Sequence, residues 1–344
     1  STSCAPQFML LGTSIGHLRL LQQLLSEHSE VLHPVAGSPT ALGGVEGGPV
    51  VERAGLFLAS SFDDMVEEFS IEALAAHYMS MFEEVTPSCP ALMTAAPKNL
   101  GKITGETNAA YFRQWGAAAR MHQLLPSAKL LFLLNDPIDD MFDRFVEHSE
   151  AEFKKRSADG EQDVRGLSSE MFVRCFDAQM AWLQMCSLDN WVSLPRIRWD
   201  HQGLQCYKEA SSVAKYGECE SDEDPLCLPA ELERACPRSM VLRSVYGVLM
   251  QQYLRVYPLE AVKVVTFEDF VRDPTAVVQE VTEFLKIGDL ELTEDMRSAV
   301  LEYKQQYSER PTLLRTSRLQ LKERVSPLIR SLESILKIHR GMLW

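Results

Sequence analysis

The sequence predicts an α/β fold, a doubly wound parallel sheet flanked by helices, and three short runs carry that expectation. FMLLG (8–12), LLFLL (130–134) and KVVTF (263–267) are apolar with no polar alternation, as strands covered on both faces of a parallel sheet must be. Each run leads into a turn and then a segment of helical periodicity. Strands alternating with helices give a parallel sheet of four or five strands, and such sheets place ligands at the carboxyl ends of their strands. The turns after residues 11, 104 and 134 are therefore where chemistry is expected.

In chain order, residues 8–31 read as a strand, a turn and a helix whose apolar positions include Leu18, Leu21, Leu24 and Leu25. The start of such a helix points unpaired backbone N–H groups at any anion placed there. The turn offers Gly12, Thr13, Ser14, Ile15, Gly16, His17 and Leu18, with Arg19 one turn inside the helix, and it contains no lysine. A backbone nest is thus expected without the side-chain charge that a phosphate loop normally adds. Segment 35–50, rich in Gly and Pro, reads as a surface loop, and 62–85 as a helix with Asp63 and Asp64 near its start. KITGETNAAYF (102–112) reads as a short strand entering a turn, followed by a helix from about Arg113 to Leu125. KLLFLLNDP is a buried strand ended by Asp136-Pro137. Helices are expected at 138–153, 169–188 and about 239–256, and another after KVVTF with Asp273 at its N-cap and Pro274 at N1. From Thr293 onward the chain is helical and more basic. With no internal repeat, one domain over 1–344 is expected, carrying a cysteine-rich insertion at about 200–238.

Composition narrows the function classes. At 344 residues, 46% hydrophobic and 24% charged, the chain can bury a large core, and nothing indicates disorder. A formal charge of −14 with no Lys/Arg-rich run disfavours nucleic acid and anionic lipid as partners. No run is long enough to span a membrane, and STSCAPQF has neither a basic nor an apolar leader region, so it reads as a mature or trimmed terminus. Of eight cysteines, Cys206, Cys219, Cys227 and Cys236 fall in a polar, acidic, turn-rich stretch with little apolar surface to hold it, which predicts at least one disulfide among those four. That in turn predicts a lumenal or secretory compartment. The spacing lacks a C-x2-C knuckle, so no metal is expected, and Cys175 and Cys186 read as buried thiols. His122, His148 and His201 have no partner at metal-ligand spacing and read as surface or satisfied histidines. The acidic run DDMFDRFVEHSEAEF reads as a solvated helix face, and Arg310, Arg315, Arg318, Lys322 and Arg324 as a basic one, open to salt bridges or to an acidic or sulfated partner.

Three segments, in this order, resemble the sulfotransferase superfamily, in particular the Golgi-type carbohydrate sulfotransferases acting on heparan or chondroitin chains. FMLLGTSIGHLRLLQQLLSEHSEV is similar to the family's 5′-phosphosulfate loop, G-x-x-K-G-G-T-x-x-L. LLFLLNDPIDDMFDRF is similar to its 3′-phosphate segment, L-L-x-L-R-D-P-x-x-R-x-x-S. RSVYGVLMQQYLRVYPLEAVKVVTFEDFVRDPTAVVQEVTEFLKI resembles the block G-x-Y-x-x-x-L-x-x-W-L-x-x-F-P, E-D-F, D-P, V-x-x-F-L-G-L nearly throughout. The resemblance runs from Phe8 to about Leu336 and implies a sulfotransferase fold, with in-line transfer of a sulfuryl group from 3′-phosphoadenylyl sulfate to a sugar hydroxyl. That chemistry needs a cation beside the leaving oxygen, a base for the acceptor hydroxyl, and an arginine with a hydroxyl on the 3′-phosphate.

Matched position by position, the lysine place holds Ile15, the two glycines Gly16 and His17, and the threonine Leu18. The arginine place holds Asn135 and the serine place Asp143. Only the acceptor base is kept, as Glu106 in a segment similar to G-E-K-T-P-x-Y that departs from it at Thr107, Asn108 and Ala109. Losing two charge-assisted hydrogen bonds at about 1.5–3 kcal/mol each weakens donor binding roughly a hundred- to ten-thousand-fold. The resemblance therefore implies a degenerate donor site in a catalytically silent protein that needs no cofactor and serves as a structural or interaction subunit with a protein partner. Two rivals stay open: an active enzyme using 3′-phosphoadenylyl sulfate with His17 and Arg19 in place of the lysine, and a module that holds a sulfated glycan without transfer. A P-loop kinase is disfavoured because G-x-x-x-x-G-K-[ST] is not met.

Overall fold

A computed structural model describes residues 6–32, 103–114, 116–157, 169–186, 206, 215–216, 227–228, 235–237 and 239–337. The loop expected at 35–50, the helix at 62–85, Cys219 and His201 lie outside those residues.

The sheet is parallel throughout. Its strands are β1 (Phe8–Gly12), β2 (Val31–Leu32), β3 (Ile103–Thr107), β4 (Lys129–Leu134) and, at its far edge, Val262–Thr266, which is β7 after the short pair β5 (Lys215–Tyr216) and β6 (Cys227–Leu228). The order is β2-β3-β1-β4-β7. Phe8 pairs with Gly105 on one side of β1 and with Lys129 on the other, and Leu130–Leu134 pair in step with Val262–Thr266. The three apolar runs thus lie in one sheet, as their composition requires. Because the chain leaves β1 towards one edge and returns to β4 on its other side, the carboxyl ends of β1 and β4 form the place where the winding reverses.

The chain divides into two compact units, residues 1–135 with 249–309, and 136–248 with 310–344. In the first, β1 is buried along its whole length, and α1 (Ile15–Ser26) turns Leu18, Leu21, Leu24 and Leu25 onto the sheet. They share a core with Leu131, Leu133, Val265 and Phe267, joined by Val277, Val278, Val281 and Leu285. The helix expected from about Arg113 to Leu125 starts later, as α3 (Ala117–Leu124) with Gly116 at φ 81° at its N-cap, and a separate short helix, α2 (Ala109–Arg113), stands where a turn was expected. After β7 come α7 (Phe267–Arg272) and α8 (Pro274–Leu285). Asp273 caps α8 by accepting from the Ala276 N–H, with Pro274 at N1, as the sequence predicts. Helix α9 (Glu294–Ser308) completes this unit.

The second unit packs α4 (Pro137–Ser157), α5 (Ser169–Met185) and α10 (Arg315–Leu336) around Phe142, Phe145 and Phe172, whose rings touch one another, with Leu321, Val325, Leu328 and Leu332 from α10 buried. The helix expected at 239–256 is a 3-10 turn at Leu242–Ser244 followed by α6 (Tyr246–Leu254), which continues into the first unit. One cysteine expectation is corrected: Cys186, read as a buried thiol, is bonded to Cys206. Of the four cysteines from which at least one disulfide was expected, Cys206 is thus bridged outside that set, and Cys236 is a buried free thiol like Cys175. The bridge ties Cys206 to the residue that follows α5. Among the described residues no helix is long and apolar enough to cross a membrane.

Candidate functional site

The turn between β1 and α1 is built by close approach. A Cβ on Gly12 would run into the Leu133 carbonyl of β4, so only glycine lets the two strand ends meet here. The Thr13 N–H donates to that same carbonyl at 3.4 Å, and the Asn135 N–H donates to Thr13 Oγ1 at 3.3 Å. Ser14 caps α1 by backbone conformation, and its side chain makes no capping bond. Ile15, at the lysine place, is 38% exposed. Leu18, matched to the threonine place, is fully buried in the core.

His17 follows neither role that a phosphate loop would give it. Its ring is fully buried, lies flat on Phe267 at 3.5 Å between centroids with 3° between planes, and meets Tyr303 and Tyr307 edge-on at 5.6 and 5.2 Å. Its Nδ1 is 2.6 Å from Asn135 Oδ1, across 118 residues of sequence. Gly16 lies under the phenol of Tyr303, which occupies the space a Cβ would need. The loop position and the arginine position of the sequence pattern are therefore brought together, and they bond to each other. Arg19, half-buried on α1, makes no hydrogen bond or ion pair among the described residues, and its Nε is buried.

Glu106 lies in β3 and is buried, its Oε1 accepting from the Tyr111 hydroxyl at 2.7 Å. Burial, then the Glu106 carboxylate, pushes the Tyr111 phenol well above its ordinary value, so Tyr111 stays a donor. Asn108 caps α2 through Ala110 N–H at 2.8 Å, which explains the departure from K-T-P as local helix chemistry.

In the second unit the first turns of α4 carry Asp136, Asp139, Asp140 and Asp143, each of which holds an arginine. Arg318 Nη2 donates to Asp136 Oδ2 and Asp139 Oδ2, both at 2.9 Å, and Arg318 Nη1 also binds Asp139. Arg310 reaches Asp143 at 3.4 Å. Asp140 is buried, bound by Arg144 at 2.8 Å and by the Ser244 hydroxyl at 3.0 Å. Burial, then the neighbouring Asp139, raises the Asp136 carboxyl above its usual range despite Arg318. The solvated acidic face expected from the sequence is corrected here: Asp140 points into the unit. The basic face on α10 is as read, with Arg318 and Arg324 in ion pairs, Arg324 with Asp177. Asp140, which occupies the second arginine place of the 3′-phosphate pattern, escaped the sequence reading. The signal was present in the spacing Asp136, Asp139, Asp140, Asp143, which puts four carboxylates on one side of a helix.

His122 lies edge-on to Tyr257 at 5.0 Å, as a satisfied histidine does. No group of three or more His, Cys, Asp or Glu suited to a metal occurs among the described residues.

No protein-family model matches the sequence, and no curated protein matches it. Among solved structures the chain is similar to a sulfotransferase from Alicyclobacillus acidocaldarius, at 18% identity and a TM-score of 0.47 over 97% of each chain. It is also similar to the sulfotransferase domain of the curacin biosynthetic pathway, at 12% identity and 0.39 over 97% of this chain and 99% of that one. A third is the sulfotransferase domain of the Synechococcus PCC 7002 olefin synthase, at 14% identity and 0.37 over 97% of this chain and 95% of that one. At these values none of the three assigns an activity or a site.

Proposed function

We propose that this chain is a sulfotransferase-type protein whose donor site no longer takes 3′-phosphoadenylyl sulfate, and that it serves as a catalytically silent interaction subunit of a lumenal or secretory assembly. The observation that carries the reading is the buried bond between His17 and Asn135. A phosphosulfate loop and a 3′-phosphate segment each need a cation facing the ligand. Here the two positions satisfy each other beneath an aromatic stack, and a phosphate would have to break that bond to enter. The α4 carboxylates add to it: Arg318 and Arg310 close on Asp136, Asp139 and Asp143, so guanidinium forks suited to phosphate are filled by the chain's own acids. The Cys186–Cys206 bridge supports an oxidising compartment.

The test is calorimetric titration of the full chain with adenosine 3′,5′-bisphosphate, the product any active enzyme of this type must hold. The expected outcome is no binding at micromolar concentrations. The triple variant Ile15→Lys, Asn135→Arg, Asp143→Ser should recover binding, since it adds two cations and removes an anion. A second reading, an active enzyme with a rewired donor loop, rests on Arg19, the half-buried guanidinium with no bond among the described residues. Tight binding by the unmodified chain, abolished by Arg19→Ala, would establish that reading and overturn the first.

A further inference from the structure

Besides the Cys186–Cys206 bridge, the second unit holds two more cysteines in its core. Cys175 projects from α5 and is fully buried, and Cys236, 61 residues further along, is 3% exposed. Gln179, one helical turn beyond Cys175 on the same face of α5, places its Nε2 3.6 Å from Cys236 Sγ. The same amide donates to the Pro237 carbonyl at 2.6 Å and accepts from the Val241 N–H at 3.0 Å, while the Ser149 hydroxyl of α4 holds the Ala235 carbonyl at 2.9 Å. The backbone on both sides of Cys236 is thus pinned against α5. Cys236 is thereby held over the turn of α5 that carries Cys175 and Gln179, which makes the two cysteines neighbours.

We propose that Cys175 and Cys236 are an oxidative cross-linking site, closing a second disulfide that fastens the end of the cysteine-rich insertion to α5. A small disulfide such as oxidised glutathione supplies the oxidising equivalents. The thiolate of one cysteine attacks it, releasing one molecule of reduced thiol and leaving a mixed disulfide. The second cysteine, as thiolate, attacks the chain sulfur of that mixed disulfide and releases a second reduced thiol. Two chain S–H bonds are lost, one S–S bond forms, and one disulfide is reduced to two thiols. Burial pushes the Cys175 thiol above its ordinary value, so the reactive thiolate is scarce in the finished fold and the bond closes while the chain is folding. The paired bridge Cys186–Cys206 places this unit in surroundings where such exchange operates.

The experiment is refolding of the full chain in a reduced and oxidised glutathione buffer, alkylation without reduction, digestion, and mass spectrometry. The expected product is a Cys175–Cys236 linked peptide pair, lighter by two hydrogens than the reduced pair. Alkyl label on both cysteines in the refolded protein, or a bond from Cys236 to any other cysteine, overturns the proposal. A second measurement does not depend on recovering those peptides. Reduction should lower the melting temperature of the wild type further than that of Cys175→Ala, because only the wild type has this bridge to lose. Equal falls would refute it.

Discussion

The turn after β1 and the first turns of α4 are held together by opposite means. At the turn the closure is apolar: His17 stacked on Phe267, flanked by Tyr303 and Tyr307, with one buried bond to Asn135. On α4 it is ionic, four aspartates each gripped by an arginine. Apolar packing is little changed by salt, whereas ion pairs that reach solvent weaken with it. The first set of contacts should therefore hold across salt concentrations, while the second depends on how deeply each pair is set.

Depth decides the largest effect. Asp140 and Arg144 have side chains only 5% and 12% exposed, and Ser244 adds a third bond. Asp140→Ala leaves a buried guanidinium without its carboxylate and should cost about 3–5 kcal/mol of unfolding free energy by urea titration. A loss under about 1 kcal/mol would mean that Arg144 escapes to water, and the pair would then belong with the surface pairs.

A matched pair of variants sharpens the contrast between the two closures. His17→Ala removes a stacked ring and its bond to Asn135 and should cost about 2–4 kcal/mol, the same in low and high salt. Arg318→Ala removes bonds to Asp136 and Asp139, but its side chain is 37% exposed, so solvent screening limits the cost to about 1–2 kcal/mol and salt should shrink it further. If salt altered the His17→Ala cost as much as the Arg318→Ala cost, the distinction between an apolar and an ionic closure would fail.

How much of this could be read from the chain depends on the range of each interaction. Strands apolar on both faces declare themselves within five residues, as FMLLG and KLLFLL do, and the Asp273-Pro274 start of α8 is equally local. That the turn after β1 carries no lysine was legible in the same way, since residues 12–18 show it directly. What happens to His17 was not, because its partner Asn135 is 118 residues away and its stacking ring, Phe267, comes from the start of α7. Arg144 meets Asp140 from one turn away, but Arg310 and Arg318, which meet the other α4 aspartates, come from 167 to 182 positions further on. Composition marked a set of charges there but not which would be buried. Cys186 was assigned to the apolar helix that precedes it, and only the fold brings Cys206 to that helix's end.

The smallest effect is the most specific to Asp136, whose Oδ1 accepts from the Ile138 N–H at 2.8 Å while Oδ2 takes Arg318. Burial first, then the Asp139 carboxylate, raises its value in the fold above that in the unfolded chain; Arg318 and the two backbone N–H bonds pull it down without prevailing. A folded state that holds a proton longer than the unfolded one is favoured at low pH. The stability Asp136 contributes is therefore fully present below its unfolded value and is lost as pH rises through the raised folded value. Asp136→Asn keeps the acceptor for Ile138 but has no proton to lose. The stability of wild type minus variant, from urea unfolding across the acidic range, should fall as pH rises through that window and run flat on either side. A difference that instead grew with pH would mean that Arg318 outweighs burial, and that the ionic closure on α4 is as strongly set at Asp136 as it is at Asp140.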